Sequence, residues 1–113
     1  MDYEIEFYAT PNGKCPMDEF LDAMPEKHLA KAEKFMELLE EKGPDLPRPF
    51  ADTVRGKIRE LRVGIGHHEY RFLYFFFKRV IVMTHGFLKK TDRVPQAELD
   101  LAQRRMDDYL GRN

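Results

Sequence analysis

The stretch Lys57–Lys90, KIRELRVGIGHHEYRFLYFFFKRVIVMTHGFLKK, decides the fold and most of the expected function. Its apolar residues form runs of the length typical of β-strands. Arginines and lysines lie within these runs or directly beside them. Because an unpaired charge is very costly to bury, these cations either pair with acidic side chains or face an open cleft. Few acidic residues are nearby, so we expect one sheet face to be a positively charged cleft for an anion.

This stretch predicts three strands, Ile58–Val63, Glu69–Phe77 and Val80–Phe87. The last two form a hairpin across Lys78–Arg79, although a turn this tight usually contains Asn or Gly, and a longer loop would shift the pairing. With a two-residue turn, the expected cross-strand pairs are Phe77 with Val80, Leu73 with Thr84, and Arg71 with Gly86. The guanidinium of Arg71 would then lie over a residue that has no side chain, which leaves room for a ligand.

The rest of the chain predicts a first strand and three helices. Alternation over Tyr3–Tyr8 is typical of a half-buried strand, and helical spacing begins at Pro16, again at Pro25, and a third time at Pro95. The proline-rich segment 43–56 is interpreted as a surface loop. The order β-α-α-β-β-β-α predicts an α+β fold, with a small twisted antiparallel sheet of about four strands packed against helices. We expect residues 1–113 to form a single domain.

Composition narrows the class of protein. The longest apolar run, Phe72–Phe77, is far too short to span a bilayer, which takes ~20 residues. The acidic, strand-like N-terminus does not resemble a secretory signal. The single cysteine, Cys15, excludes a disulfide framework and fits a reducing compartment. We therefore expect a cytoplasmic protein with no role in a membrane.

Charge is unevenly distributed along the chain, although the net charge is only −1. Residues 1–53 carry 13 acidic and 6 basic side chains, whereas residues 54–93 carry 3 acidic and 10 basic ones. The basic segment would attract phosphate groups through its local field, or would simply form a solvated surface.

Four segments in this order resemble the RelE/ParE/HigB toxin superfamily, most closely its phage-derived HigB-like branch. They are ELRV (60–63), YRFLYFF (70–76), HGFLKKT (85–91) and P-x-x-E-x-x-x-A-x-x-R-x-x-D-Y (95–109). The resemblance implies the toxin of a type II toxin–antitoxin system, which cleaves mRNA on translating ribosomes without a metal or other cofactor. It also implies a helix-turn-helix antitoxin as partner, with operator DNA bound only through the antitoxin complex.

Metal-free RNA cleavage needs cations that stabilise charge on the attacked phosphate. We expect Arg71 to be the principal catalytic residue, because a planar guanidinium binds two phosphate oxygens and the family's working arginine matches this position. Arg62 is the second candidate. Lys89 and Lys90 are candidates for phosphate binding and proton transfer. The structural alternatives are that Arg71 pairs with Glu60 or Glu69, and that the two lysines are surface charges.

Four further residues are candidates for RNA binding. Lys57 and Arg59 are cations at the start of the first of the three strands. His85 and Phe87 share a side of a regular strand and would stack on a base or ribose, although core packing is the simpler role for Phe87. The spacing of the histidines matches no standard zinc arrangement, so we expect no metal site.

Two other functions are compatible with the same scaffold. In the first alternative, the chain is a ParE-like inhibitor of DNA gyrase. In the second, it is a binding module that acts only as co-repressor together with its antitoxin. Converging cations favour the nuclease, because an inhibitor that binds protein does not need them. Fold alone does not decide between these functions.

Overall fold

The computed structural model describes residues 3–113 and contains five strands and three α-helices within that range. In chain order the elements are β1 (Glu4–Phe7), α1 (Pro16–Asp22), α2 (Glu26–Lys42), β2 (Ala51–Arg55), β3 (Ile58–Ile65), β4 (His68–Phe77), β5 (Val80–Leu88) and α3 (Gln96–Arg112). A short 3₁₀ turn, Gly43–Asp45, follows α2. None of these helices is long and apolar enough to cross a membrane.

The strands form one sheet in the order β1-β5-β4-β3-β2. The predicted α+β class and the order of the expected elements are confirmed, but two details of the sheet were wrong. The sheet is mixed, because β1 runs parallel to β5 while the other neighbours are antiparallel. It also has a fifth strand, β2, inside the segment predicted to be a loop. Its five residues follow a run of prolines, and pairing with β3 makes them a strand.

Helices cover both faces of the sheet. Helices α1 and α2 cover one face, where the aromatic side chains of Tyr70, Phe72 and Tyr74 are buried. Helix α3 packs on the opposite face against Leu73 and Phe75. Alternate residues of a strand point to opposite faces, so neighbouring residues of β4 contribute to different cores.

The helix ends follow the chemistry of proline and glycine. Pro16 occupies the first turn of α1, and Pro25 and Pro95 directly precede α2 and α3. Gly43 ends α2 with a φ of 55°, a conformation that few residues other than glycine adopt readily. Helix α3 continues through Gly111 to Arg112.

The β4–β5 hairpin follows the predicted register for only half its length. Lys78–Arg79 is the turn, with Lys78 at a φ of 56°, and Phe77 pairs with Val80 as expected. An irregularity between Leu73 and Tyr74 then shifts the pairing by one residue. The predicted partners of Leu73 and Arg71 were therefore wrong, since these residues lie opposite His85 and Phe87.

Candidate functional site

A cleft of about 360 Å³ opens on the α3 side of the sheet, beyond the edge of the helix. Strands β2 and β3 form one wall, and the segment that joins β5 to α3 forms the other. Its charged lining residues are Asp52, Glu60, Arg62, Lys89, Asp92 and Arg93. Three are acidic and three are basic, so the lining is balanced in charge rather than strongly cationic.

Arg71 does not line the cleft but contacts the lining residue Glu60, and only 7% of its side chain is exposed. Its Nε is 3.1 Å from Glu60 Oε1, and its Nη1 donates hydrogen bonds to Glu69 Oε1 at 3.2 Å and to the Tyr70 carbonyl at 2.9 Å. Because the shifted register places Phe87 opposite Arg71, no open space above a glycine is available. The expectation that Arg71 faces an open cleft was wrong, because both neighbouring acids pair with it.

Glu60 connects the two arginines of the site. Its carboxylate is 5% exposed, with Oε1 beside Arg71 Nε and Oε2 accepting a hydrogen bond from Arg62 Nε at 2.9 Å. The Arg71 contact is an ion pair without the alignment of a hydrogen bond. A buried carboxylate that contacts two guanidinium groups fixes the orientation of both.

Arg62 is the more accessible of the two arginines. Its side chain is 31% exposed, and its Nη2 is 3.3 Å from Asp52 Oδ2 on β2. Desolvation alone would raise the pKa of Asp52, but the Thr53 amide and the charges of Arg48 and Arg62 together lower it. Arg62 therefore makes a close hydrogen bond to Glu60 and a weaker, partly exposed contact with Asp52.

The two lysines after β5 have different environments. The backbone amide of Lys89 donates to the Glu69 carbonyl at 2.7 Å, which extends the β4–β5 pairing and holds Lys89 at the wall of the cleft. Lys90 is exposed and does not line the cleft. The structure thus brings together Arg62 and Lys89 of the four predicted catalytic residues, with Arg71 beneath them and Lys90 outside.

His85 and Phe87 share a face, as expected, with ring centroids 5.9 Å apart. Both are buried, so neither presents a surface on which a base would stack. His85 Nε2 is 2.9 Å from Glu98 Oε1 on α3, and its Nδ1 is 3.1 Å from the Thr84 hydroxyl. Burial lowers the pKa of His85, and the opposing effect of Glu98 is smaller. In this position neutral His85 donates from Nε2 to the Glu98 carboxylate.

Lys57 and Arg59 do not join the cleft. They line a separate cavity of about 220 Å³ with Thr53, Gly56 and Phe76. Arg59 pairs with Tyr74 in the β3–β4 ladder, and both point to the α1–α2 face, whereas Arg62 pairs with Arg71 and points to the α3 face. Arg59 thus lies on the opposite face of the sheet from Arg62, and Lys57 lines the same separate cavity as Arg59, so RNA binding by these two residues stays a prediction.

Asp52 and Arg93 line the cleft but were not predicted. Arg93 belongs to the basic segment, which was a usable signal. The Thr91 hydroxyl donates a hydrogen bond to the Arg93 carbonyl at 2.7 Å, and this contact shapes the loop that carries Arg93. Asp52 gave no such signal, because its role depends on β2 pairing with β3.

The cleft can bind an anion between one oriented cation, Arg62, and two cations that make no ion pair with residues 3–113, Lys89 and Arg93. Arg62 supplies a guanidinium whose inner side is held, while Lys89 and Arg93 make no ion pair with the described residues 3–113. An entering phosphate would compete only with Asp52 for the outer side of Arg62. Exposed ion pairs of this kind contribute about 1 kcal/mol or less, so the exchange costs little.

The fold is that of a known class of small α+β proteins. A chain from the crystal structure of the archaeal RelE–RelB complex of Pyrococcus horikoshii OT3 superposes with a TM-score of 0.52 at 18% sequence identity, and the match covers 83% of this chain and 100% of that chain. No curated protein sequence matches significantly.

Residues 19–107 match the family described as phage derived protein Gp49-like (DUF891). The chain belongs to this family. The family match confirms the expected phage-derived family, and the structural match shows the RelE-like fold that the resemblance implies.

Proposed function

We propose that this chain is the toxin of a type II toxin–antitoxin system and cleaves translated mRNA on the ribosome, in the cytoplasm. The observation that carries the proposal is the arrangement of Arg62, which is fixed on Glu60 and faces Lys89 across an open cleft. A half-anchored arginine beside an unpaired lysine is suited to an anionic group that arrives, reacts and leaves. The resemblance to RelE-type toxins supports the phosphate of an mRNA as that group.

Phosphate enters by replacing Asp52 on Arg62. Glu60 keeps hold of Arg62 Nε during this exchange, so the guanidinium turns little and stays oriented. Arg71 keeps its ion pairs with Glu60 and Glu69 throughout, and its role is to hold the Glu60 carboxylate in place. In this proposal Arg71 is a positioning residue, and Arg62 takes the phosphate-binding role.

The nucleophile in this reaction is the substrate's own 2′-hydroxyl. The ribose 2′-oxygen attacks the adjacent phosphorus and loses its proton to water, while the bond to the 5′-oxygen breaks and that oxygen takes up a proton from the Lys89 ammonium. Arg62 and Lys89 stabilise the charge that develops on the phosphate oxygens, usually the largest catalytic contribution. Lys89 is the candidate for proton transfer, and the ribosome aligns the 2′-oxygen by holding the codon.

The same proposal names the partners. A helix-turn-helix antitoxin neutralises the chain, and operator DNA is bound only through the toxin–antitoxin complex. The archaeal RelE fold was determined in a complex with RelB, which supports an antitoxin partner here.

Mapping of transcript 5′ ends after brief induction tests the nuclease. We expect new ends in frame with codons within translated regions for the native chain. Arg62→Ala should reduce them roughly 100-fold, the typical effect of removing one transition-state donor. Arg104→Ala is the matched control, because Arg104 is exposed on α3 and does not line the cleft.

Other outcomes would reject the nuclease. DNA damage without new transcript ends would identify a gyrase inhibitor. The absence of both, together with operator binding by the antitoxin complex, would identify a co-repressor. Unchanged cleavage by Arg62→Ala would show that the catalytic site lies elsewhere.

A further inference from the structure

A second concave surface lies away from the cleft, where α1 and α2 meet the edge strand β1. It is a groove of about 540 Å³ with an apolar floor. Leu21 and Met36 are buried there, while Ile5, Phe7 and Leu29 are partly exposed. Half-buried apolar side chains that share one groove are typical of a surface that a partner covers.

The rim of this groove carries charge of one sign only. Its charged residues are Asp18, Asp22, Glu33, Glu37 and Glu40, and among residues 3–113 no lysine, arginine or histidine lines it. None of the five forms an ion pair with another residue in the range 3–113. The carboxylates of the groove differ in this respect from Asp52 and Glu60 of the cleft, which pair with arginines. The groove thus presents five uncompensated carboxylates around an apolar floor.

The edge strand limits what kind of segment fits. A partner strand would pair with the outer backbone groups of β1, but the Ile5 amide already donates to Glu40 Oε2 at 2.9 Å. A charged side chain lying across an edge in this way opposes strand addition. A helix needs none of these backbone groups and buries an apolar face in a groove.

We propose that the groove docks a cationic amphipathic helix of the antitoxin. The apolar face of the helix covers Ile5, Phe7 and Leu29, and lysines or arginines along its sides meet the acidic rim. This inference rests on the proposed function for the identity of the partner. It locates antitoxin binding on the α1–α2 side of the sheet, whereas the cleft lies on the α3 side.

The test uses the full chain and two synthetic peptides of about 20 residues, long enough to form a helix. One has leucines on one face and lysines on the other, and its counterpart has glutamates in place of the lysines. We expect the lysine peptide to bind, with affinity falling as salt rises, and the glutamate peptide to bind at least tenfold more weakly. Amide shifts in the NMR spectrum should cluster at Ile5, Leu21 and Leu29.

Paired charge reversals provide the matched comparison. Asp22→Lys with Glu33→Lys changes one rim residue on each helix, and should weaken binding of the lysine peptide at least tenfold. Glu19→Lys with Glu41→Lys makes the same charge change on the same helices outside the groove, and should leave binding within twofold. Both double variants should cleave transcripts as the native chain does.

Three results would overturn the inference. One is equal binding of the lysine peptide to both double variants, another is shifts confined to α3, and the third is a self-association of the native chain that the Asp22 and Glu33 changes abolish. Loss of transcript cleavage by the native chain would reject the nuclease instead, and the peptide measurements would stand independently of it.

Discussion

Glu60 is the residue on which the charge arrangement of the site depends. Its carboxylate is almost fully buried, and each of its oxygens is occupied by a different arginine. Burying a carboxylate is expensive, and the neighbouring guanidinium groups offset that cost. Removing either arginine therefore leaves a buried charge only partly compensated. We therefore expect the less exposed arginine, Arg71, to contribute mainly to stability.

Arg71→Ala should lower the free energy of unfolding by about 3 kcal/mol, as expected when one partner of a buried ion pair is removed. Urea denaturation followed by circular dichroism measures this change. Arg48→Ala, which removes an exposed pair with Asp52, should change it by less than about 0.5 kcal/mol. A fully stable Arg71→Ala protein without cleavage activity would instead mean that Arg71 contacts the substrate directly.

Lys89 and Lys90 form a natural matched pair. Lys89→Ala should lower the rate of transcript cleavage roughly 100-fold, because it removes a cation at the developing charge. Lys90→Ala should retain most of the activity, because Lys90 does not line the cleft. Primer extension on a single induced transcript compares the two. Equal losses would show that the loop presents both lysines to RNA.

At the scale of elements, the irregularity in the β4–β5 hairpin determines which residues meet. Thr84 is the extra residue, and its hydroxyl donates to the Leu73 carbonyl at 3.2 Å. The shift of one residue moves Gly86 from the α3 face to the α1–α2 face, opposite Phe72. Gly86 therefore serves aromatic packing and not the candidate site.

Gly86→Ala should destabilise the protein by about 2 kcal/mol through overpacking. A Cβ at this position would lie 2.6 Å from Phe72 Cδ1 and 3.0 Å from Phe20 Cδ2. Gly111→Ala is the control, because nothing lies within 4 Å of the place that its new methyl group would occupy, and alanine favours helix. Thermal unfolding of both variants measures the difference. An unchanged melting temperature for Gly86→Ala would contradict the observed register.

For the whole molecule, the sheet separates two surfaces of different charge. The candidate cleft lies on the α3 side, and the acidic groove lies beside α1 and α2. Helix α3 is held to the sheet by polar contacts as well as by its apolar stripe. Tyr8 donates to Asp108 at 2.6 Å, and His85 contacts Glu98. These contacts link global stability to the protonation of a buried histidine.

Stability should therefore fall in mild acid. Burial lowers the pKa of His85, so the unfolded chain takes up a proton at a higher pH than the folded protein does. Neutral His85 makes its full contribution to the free energy of unfolding above the unfolded-state pKa of about 6.5, and this contribution is lost as the pH falls below that value. Between about pH 7.5 and about pH 5.5, the free energy of unfolding measured by urea denaturation should fall more for the native chain than for His85→Gln. Equal losses would show that His85 does not control this dependence.

The sequence by itself determined the elements whose signals are local. Apolar runs of strand length predicted β3, β4 and β5, prolines marked the starts of the helices, and the Lys78–Arg79 turn followed from the apolar runs beside it. Four short segments in order were enough to indicate the superfamily. Such signals arise within a few residues of one another, and they do not depend on which strands become neighbours.

Only the tertiary structure decided which charges are free. Arg62 and Asp52 are ten positions apart in the chain, and they meet because β2 joins the sheet at the edge of β3. Arg71 and Glu60 meet because β3 and β4 are adjacent, with side chains on the same face. The energy of an ion pair depends on separation and burial, which the positions of residues along the chain do not specify. The predicted open cationic cleft is therefore a cleft of balanced charge, with Arg71 beneath it.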